Sequence, residues 1–187
     1  MKTEILVITD RSGSMSNIKA DCDGGFASFV EEQKKISGEC RVTMVKFDTE
    51  VITEYVAKPL AEVPPLNLIP RGSTALMDAM GLTMDVQGKR IKEQAWADLV
   101  IVVVITDGHE NASTDYTREA IKTMTEHAQK AGWKFVFLAA NQDAFSTGAS
   151  YGISGQHTQN FAATPAGTRM AYASTSAMVG NLRAGGH

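Results

Sequence analysis

The sequence is poor in the residues that mark several common kinds of protein. Two cysteines, Cys22 and Cys40, occur among 187 residues, too few for a disulfide-stapled secreted fold. Both are expected to be buried, reduced thiols, with a disulfide between them as the alternative. The four histidines, at 109, 127, 157 and 187, have no zinc-ligand spacing. Lys and Arg total 18 against 21 Asp and Glu, a net charge of −3. No basic run is denser than Lys34-Lys35 or Lys89-Arg90, which argues against a nucleic-acid partner. The longest apolar run, Leu99 to Ile105, is far too short to span a bilayer, so no membrane partner is expected. Glu4 and Asp10 interrupt what would be the apolar core of a secretory leader, and a cytoplasmic location is expected. Neither G-x-x-x-x-G-K-[ST] nor G-x-G-x-x-G follows any strand-like stretch, which disfavours nucleotide binding.

What is present is ordinary in bulk and specific in detail. Hydrophobic residues make up 43% and charged residues 21%, usual for a globular chain long enough for a sizeable core. Near the N-terminus, Ile5-Leu6-Val7-Ile8 runs into Thr9-Asp10-Arg11-Ser12-Gly13-Ser14. This is a buried strand that stops at a tight loop bearing one carboxylate and two hydroxyls, the oxygen ligands that hard divalent cations take. Alone the pattern is weak, because Asp, Ser and Gly are also turn residues. Two further stretches support it. Leu99 to Ile105, apolar on both faces, ends in Thr106-Asp107-Gly108, as the central strand of a parallel sheet would. Between them, Pro70-Arg71-Gly72-Ser73-Thr74-Ala75-Leu76 opens a helical pattern. Open α/β sheets bind ligands beyond the carboxyl ends of their strands, and all three loops belong at that edge.

The set Asp10-x-Ser12-x-Ser14, Thr74 in Gly72-Ser73-Thr74-Ala75-Leu76, and Asp107 in Thr106-Asp107-Gly108 resembles the von Willebrand factor type A domain with its metal-ion-dependent adhesion site. The motifs come in the family's order over residues 3–141, and the compact stand-alone intracellular forms of bacteria and phages are the most similar. The resemblance implies a three-layer, Rossmann-like α/β fold: a mostly parallel sheet with one antiparallel edge strand and helices on both faces. It implies a single domain over 1–187, with core 3–141 and an elaboration over 142–183 that ends in a helix. It also implies that Ser12, Ser14 and Thr74 bind a cation directly while Asp10 and Asp107 act directly or through water. Ser73 is the alternative to Thr74. The expected ion is Mg²⁺, with Mn²⁺ or Ca²⁺ as alternatives; a partner's Asp or Glu fills the remaining position. A MoxR-type AAA+ ATPase is one partner the resemblance suggests, and a monomer is expected.

No catalytic role is expected. The enzymatic rival is a metal-dependent phosphohydrolase of the haloacid dehalogenase class, which needs a second Asp two residues after the first as acid and base. Ser12 stands there, and a hydroxyl cannot serve as that acid. A structural assembly subunit using the same surface is the third reading. His109 and Glu110 are expected as loop residues near the partner. Arg11 and Met15 either line that surface or are solvated, and Asn141, Gln142 and Asp143 either cap the next helix or rim the site.

Periodicity predicts the remaining elements. Ile18, Cys22, Phe26, Phe29, Gln33 and Ile36 lie on one helical face, interrupted by Gly24-Gly25 through close packing on the sheet or a kink. Strands are expected over 40–47 and 51–56 as an antiparallel hairpin, followed by an extended connection over 58–71. A helix from Leu76 ends near Gly88, with a second short one over 89–96. Asp115 caps a helix that Gly132 stops, and Trp133 to Ala140 forms a strand. A short helix over 143–150, an edge strand over 156–161 and a helix opened by Thr164-Pro165 complete the chain. The last helix should bury Met170, Ala171, Ser174, Met178 and Leu182, and residues 185–187 should fray. The methionines at 77, 80, 84, 124, 170 and 178 are expected in the core.

Overall fold

Alternating side chains on β1 (Lys2–Asp10) serve two hydrophobic layers at once, and this sets the architecture of the computed structural model, which describes residues 1–185. The chain continues through α1 (Lys19–Lys34), β2 (Glu39–Phe47), β3 (Val51–Pro59), α2 (Leu76–Gln94) and β4 (Leu99–Thr106). It ends with α3 (Arg118–Lys130), β5 (Lys134–Ala140), α4 (Ala144–Ser150), β6 (Thr158–Phe161) and α5 (Pro165–Arg183). The strands form one sheet in the order β3-β2-β1-β4-β5-β6. All neighbours are parallel except the β2–β3 pair at the edge.

Ile5 and Val7 of β1, with Val103 and Ile105 of β4, face α1 and α5. Leu6 and Ile8, with Val102 and Val104, face α2, α3 and α4. Each fully buried aliphatic side chain of this kind contributes roughly 1.5–3 kcal/mol relative to exposure, so a shift of strand register by one residue would turn both sets onto the wrong layer. This is the three-layer α/β arrangement expected. The order reverses between β1 and β4, which pair with each other and lead the chain outward in opposite directions. A crevice forms at such a reversal.

Several local expectations are corrected. Gly88 does not end α2, which runs unbroken to Gln94 and closes on Ala95 with φ of 47°. One helical Gly costs only about 1 kcal/mol, and Gln87 and Ile91 keep the inner face buried past it. Thr117, not Asp115, caps α3 by accepting from Ala120 N. Asp115 N is instead tied to Asp78 Oδ1 on α2. The Gly24-Gly25 interruption is close packing, against α5 and not the sheet: a Cβ on Gly25 would stand 2.5 Å from Tyr172 Cδ2. That contact turns α5 so that Tyr172, Thr175, Ser176 and Val179 join Ala171 and Leu182 inside, while Met170 is 70% exposed and Ser174 only half-buried. Cys22 and Cys40 are buried, free thiols. Of the expected frayed end, Gly186 and His187 lie outside the described residues. No described helix is long and apolar enough to cross a membrane.

Candidate metal centre

Asp10 is the last residue of β1 and Thr106 the last of β4, on adjacent strands. The β1 ladder ends there because the chain turns at Ser12-Gly13. Arg11 N still donates to Phe47 O of β2, and Gly13 N donates to Gly72 O at 3.1 Å. Gly72 has φ of +67°, and a Cβ on it would lie 2.9 Å from Thr49 Oγ1, so the loop that carries Thr74 approaches closely only because that residue is glycine.

The five expected ligands come together. Ser12 Oγ and Ser14 Oγ are 3.1 Å apart, and Ser14 Oγ donates to Asp107 Oδ1 at 2.7 Å. Asp10 Oδ1 accepts from Ser12 N at 2.6 Å, and Asp10 Oδ2 accepts from the Thr106 hydroxyl at 2.6 Å. A Cβ on Gly108 would stand 3.4 Å from Thr74 Oγ1 and 3.7 Å from Ser14 Oγ. Both hydroxyls therefore border one small space over Gly108. Thr74 is buried while its neighbour Ser73 is exposed.

Burial pushes the Asp10 carboxyl up from 3.8 to about 6, against the lowering effect of its bonds from Thr106 and Ser12; the Asp107 charge adds to the rise. Burial also raises Asp107, opposed by its bond from Ser14. Two desolvated carboxylates side by side are stabilised by a cation. The donor set is hydroxyl-rich, and no cluster of three or more His, Cys, Asp or Glu side chains suited to a metal occurs among the described residues. Such a set fits a hard divalent ion bound by few charged ligands.

Of the surrounding residues, Arg11 and Met15 lie elsewhere than expected, and several others brace the loops that carry these oxygens. Arg11 is neither solvated nor on the surface: it is buried, with Nε 2.8 Å from Asp48 Oδ2. Arg71 Nε donates to that same oxygen at 2.8 Å. Burial alone would raise Asp48, but Glu50 N–H and the two arginines outweigh it and hold its carboxyl below the ordinary 3.8. Met15 is fully buried in the α1 layer. Glu110 is a half-buried residue of the loop after β4, as expected. Its carboxylate accepts from Met77 N, Ala112 N and Ser113 N and so caps α2, while His109 is exposed. Asp143 caps α4. Asn141 Nδ2 donates to Asp107 O at 2.9 Å and Gln142 Nε2 to Gly108 O at 2.8 Å, which ties down the loop after β4. Thr106 was the most legible of the missed residues, since a hydroxyl directly before Asp107 at the end of a buried strand has a carboxylate beside it.

No family model matches the sequence, and no curated protein matches it. Solved structures do. Proximal thread matrix protein 1 from the mussel byssus, solved with a zinc-occupied MIDAS motif, is 13% identical with a TM-score of 0.71. That match covers 95% of this chain and 46% of the byssus protein, so the chain spans less than half of that relative. The vWF domain of the type V pili tip protein Mfa5 from Porphyromonas gingivalis is 11% identical with a TM-score of 0.66, covering 95% of this chain and 94% of that domain. The six-stranded order, the single antiparallel edge and these two likenesses agree: this chain has the von Willebrand factor type A fold.

Proposed function

We propose that the protein is a metal-dependent binding module, one domain over residues 1–187, that captures an Asp or Glu of a protein partner. Asp10, Ser12, Ser14, Thr74 and Asp107 would hold the ion, and Mg²⁺ is the best fit to so hydroxyl-rich a set. The observation that carries the reading is the convergence of oxygens from three separate loops: the Ser12–Ser14–Asp107 hydrogen-bonded run and the Thr74 hydroxyl beside Gly108.

Charge explains why the site would bind and not catalyse. Two carboxylates balance a divalent ion, and three neutral hydroxyls add no further charge, so the bound ion keeps its attraction for one more anionic oxygen. Ser12 stands where a phosphohydrolase of the haloacid dehalogenase class needs its acid, and its Oγ is paired with Ser14. A partner carboxylate would be partly desolvated on entry, which makes such a contact strong only inside a larger interface. A cytoplasmic monomer serving a MoxR-type AAA+ ATPase is the setting we favour. The test is a pull-down in Mg²⁺ against EDTA with Asp10→Ala as control. Partner capture should vanish in EDTA and in the variant. Capture that survives chelation overturns the reading.

A further inference from the structure

Thr74 is held by a residue that is not among the five. Asn111 Oδ1 accepts from Thr74 N at 2.9 Å, and Asn111 N donates to Thr74 O at 3.0 Å. The Thr74 backbone is thus gripped on both sides by one asparagine. Asn111 belongs to the loop that leaves β4 after Asp107, and that loop is itself fixed: Glu110 caps α2, and Asn141 and Gln142 hold the Asp107 and Gly108 carbonyls. On its other flank, the Thr74 loop is tied to the β2–β3 turn through Ser73 N to Thr49 Oγ1 and Ala75 N to Asp48 O. Of these ties, only the Asn111 pair joins Thr74 itself to the loop that carries Asp107.

We propose that Asn111 is a positioning residue that fixes the distance between the Thr74 hydroxyl and the Asp107 carboxylate, and so makes the site selective for a small ion. The inference rests on the metal reading above. Its physical basis is that Mg²⁺ demands near-ideal octahedral geometry at short range, whereas Ca²⁺ accepts longer and looser coordination. Loosening one donor therefore penalises Mg²⁺ more than Ca²⁺. Groups that orient metal ligands from behind are commonly worth about 10- to 100-fold in affinity. Asn111 is exposed, so replacing it leaves the core packing intact.

The experiment is calorimetric titration of the full chain with Mg²⁺ and, separately, with Ca²⁺. Wild type, Asn111→Ala, Asn111→Asp and Asp10→Ala are compared. Asn111→Ala should lose about tenfold in Mg²⁺ affinity and clearly less for Ca²⁺. Asn111→Asp, which keeps the acceptor oxygen, should restore the Mg²⁺ to Ca²⁺ ratio even though its added charge moves both affinities. An Asn111→Ala protein with an unchanged ratio, or an Asn111→Asp protein with a ratio no nearer wild type, overturns the role of Asn111 while binding that depends on Asp10 leaves the metal reading standing. A wild type that takes up neither ion, or takes them up without need of Asp10, overturns both.

Discussion

The Thr106 hydroxyl donates to Asp10 Oδ2 across 2.6 Å, joining the ends of β4 and β1 in a place where both residues are fully buried. With Ser12 N on Oδ1, each oxygen of the Asp10 carboxylate already has a donor from the protein. The carboxylate is thereby held in one orientation by the protein itself.

Thr106→Val keeps the shape of the side chain and removes the donor. Leaving a buried carboxylate oxygen without its partner costs about 1–3 kcal/mol, expected as a lower urea midpoint for the metal-free protein near neutral pH. An unchanged midpoint contradicts the bond's importance.

The raised Asp10 pKa gives a pH dependence of definite sign. Its folded value of about 6 lies above the ordinary 3.8, so its contribution is fully present below 3.8 and is lost as pH rises through about 6. Between about pH 4.5 and about pH 7.5 the loss is roughly 2 kcal/mol, at 1.36 kcal/mol per pKa unit. Asp10→Asn has no such group. In EDTA, its stability relative to wild type should climb by about that amount over this range. A difference that is flat with pH refutes the expectation.

Gly24 and Gly25 are neighbours in α1 with opposite surroundings. A Cβ on Gly24 meets nothing within 4 Å, whereas one on Gly25 meets Tyr172 Cδ2 at 2.5 Å and Cγ at 2.6 Å. Gly24→Ala should stabilise by about 0.5–1 kcal/mol through helix propensity. Gly25→Ala should destabilise by about 1–3 kcal/mol, because the ring is held in the core. Thermal melts of the two variants that shift in the same direction would contradict this packing.

Asp48→Ala strands the buried Arg11 guanidinium, whose charge neighbour it is at 2.8 Å. Breaking a buried pair from one side costs roughly 3–5 kcal/mol. Removing Arg11 as well, in Arg11→Met with Asp48→Ala, should recover much of that loss, since no lone charge remains. Urea unfolding of the two singles and the double variant gives the coupling, and strictly additive losses exclude it.

The elements that were legible have strong local periods. β1, β4 and β5 read correctly because an apolar run bounded by polar turns has few other uses, α5 because a hydroxyl cap and Pro mark its start, and α3 in its body, though not its cap, because Gly132 marks its end. What failed depended on remote neighbours. Asp115 is a sound cap by type, yet Asp78, from α2, takes its N–H and leaves Thr117 to start α3. Met170 fits the inner face of α5 by spacing, yet the Tyr172–Gly25 contact rotates that face. Arg11 is charged, and charge alone places it in solvent. Asp48 at the end of another strand is what allows it to be buried.

By itself the chain's residue order determined which side chains end their strands and loops in oxygen: Asp10, Ser12 and Ser14 after β1, Thr74 before α2, and Asp107 after β4. Those placements follow from local conformation, in which each residue answers to its near neighbours along the chain. Only the tertiary structure decided that β1 lies beside β4, that Gly108 leaves space for two hydroxyls, and that Thr106, Asn111 and Asp48 support the surrounding loops. Those contacts join positions 23 to 96 residues apart, and their energies exist only once packing has brought the partners together.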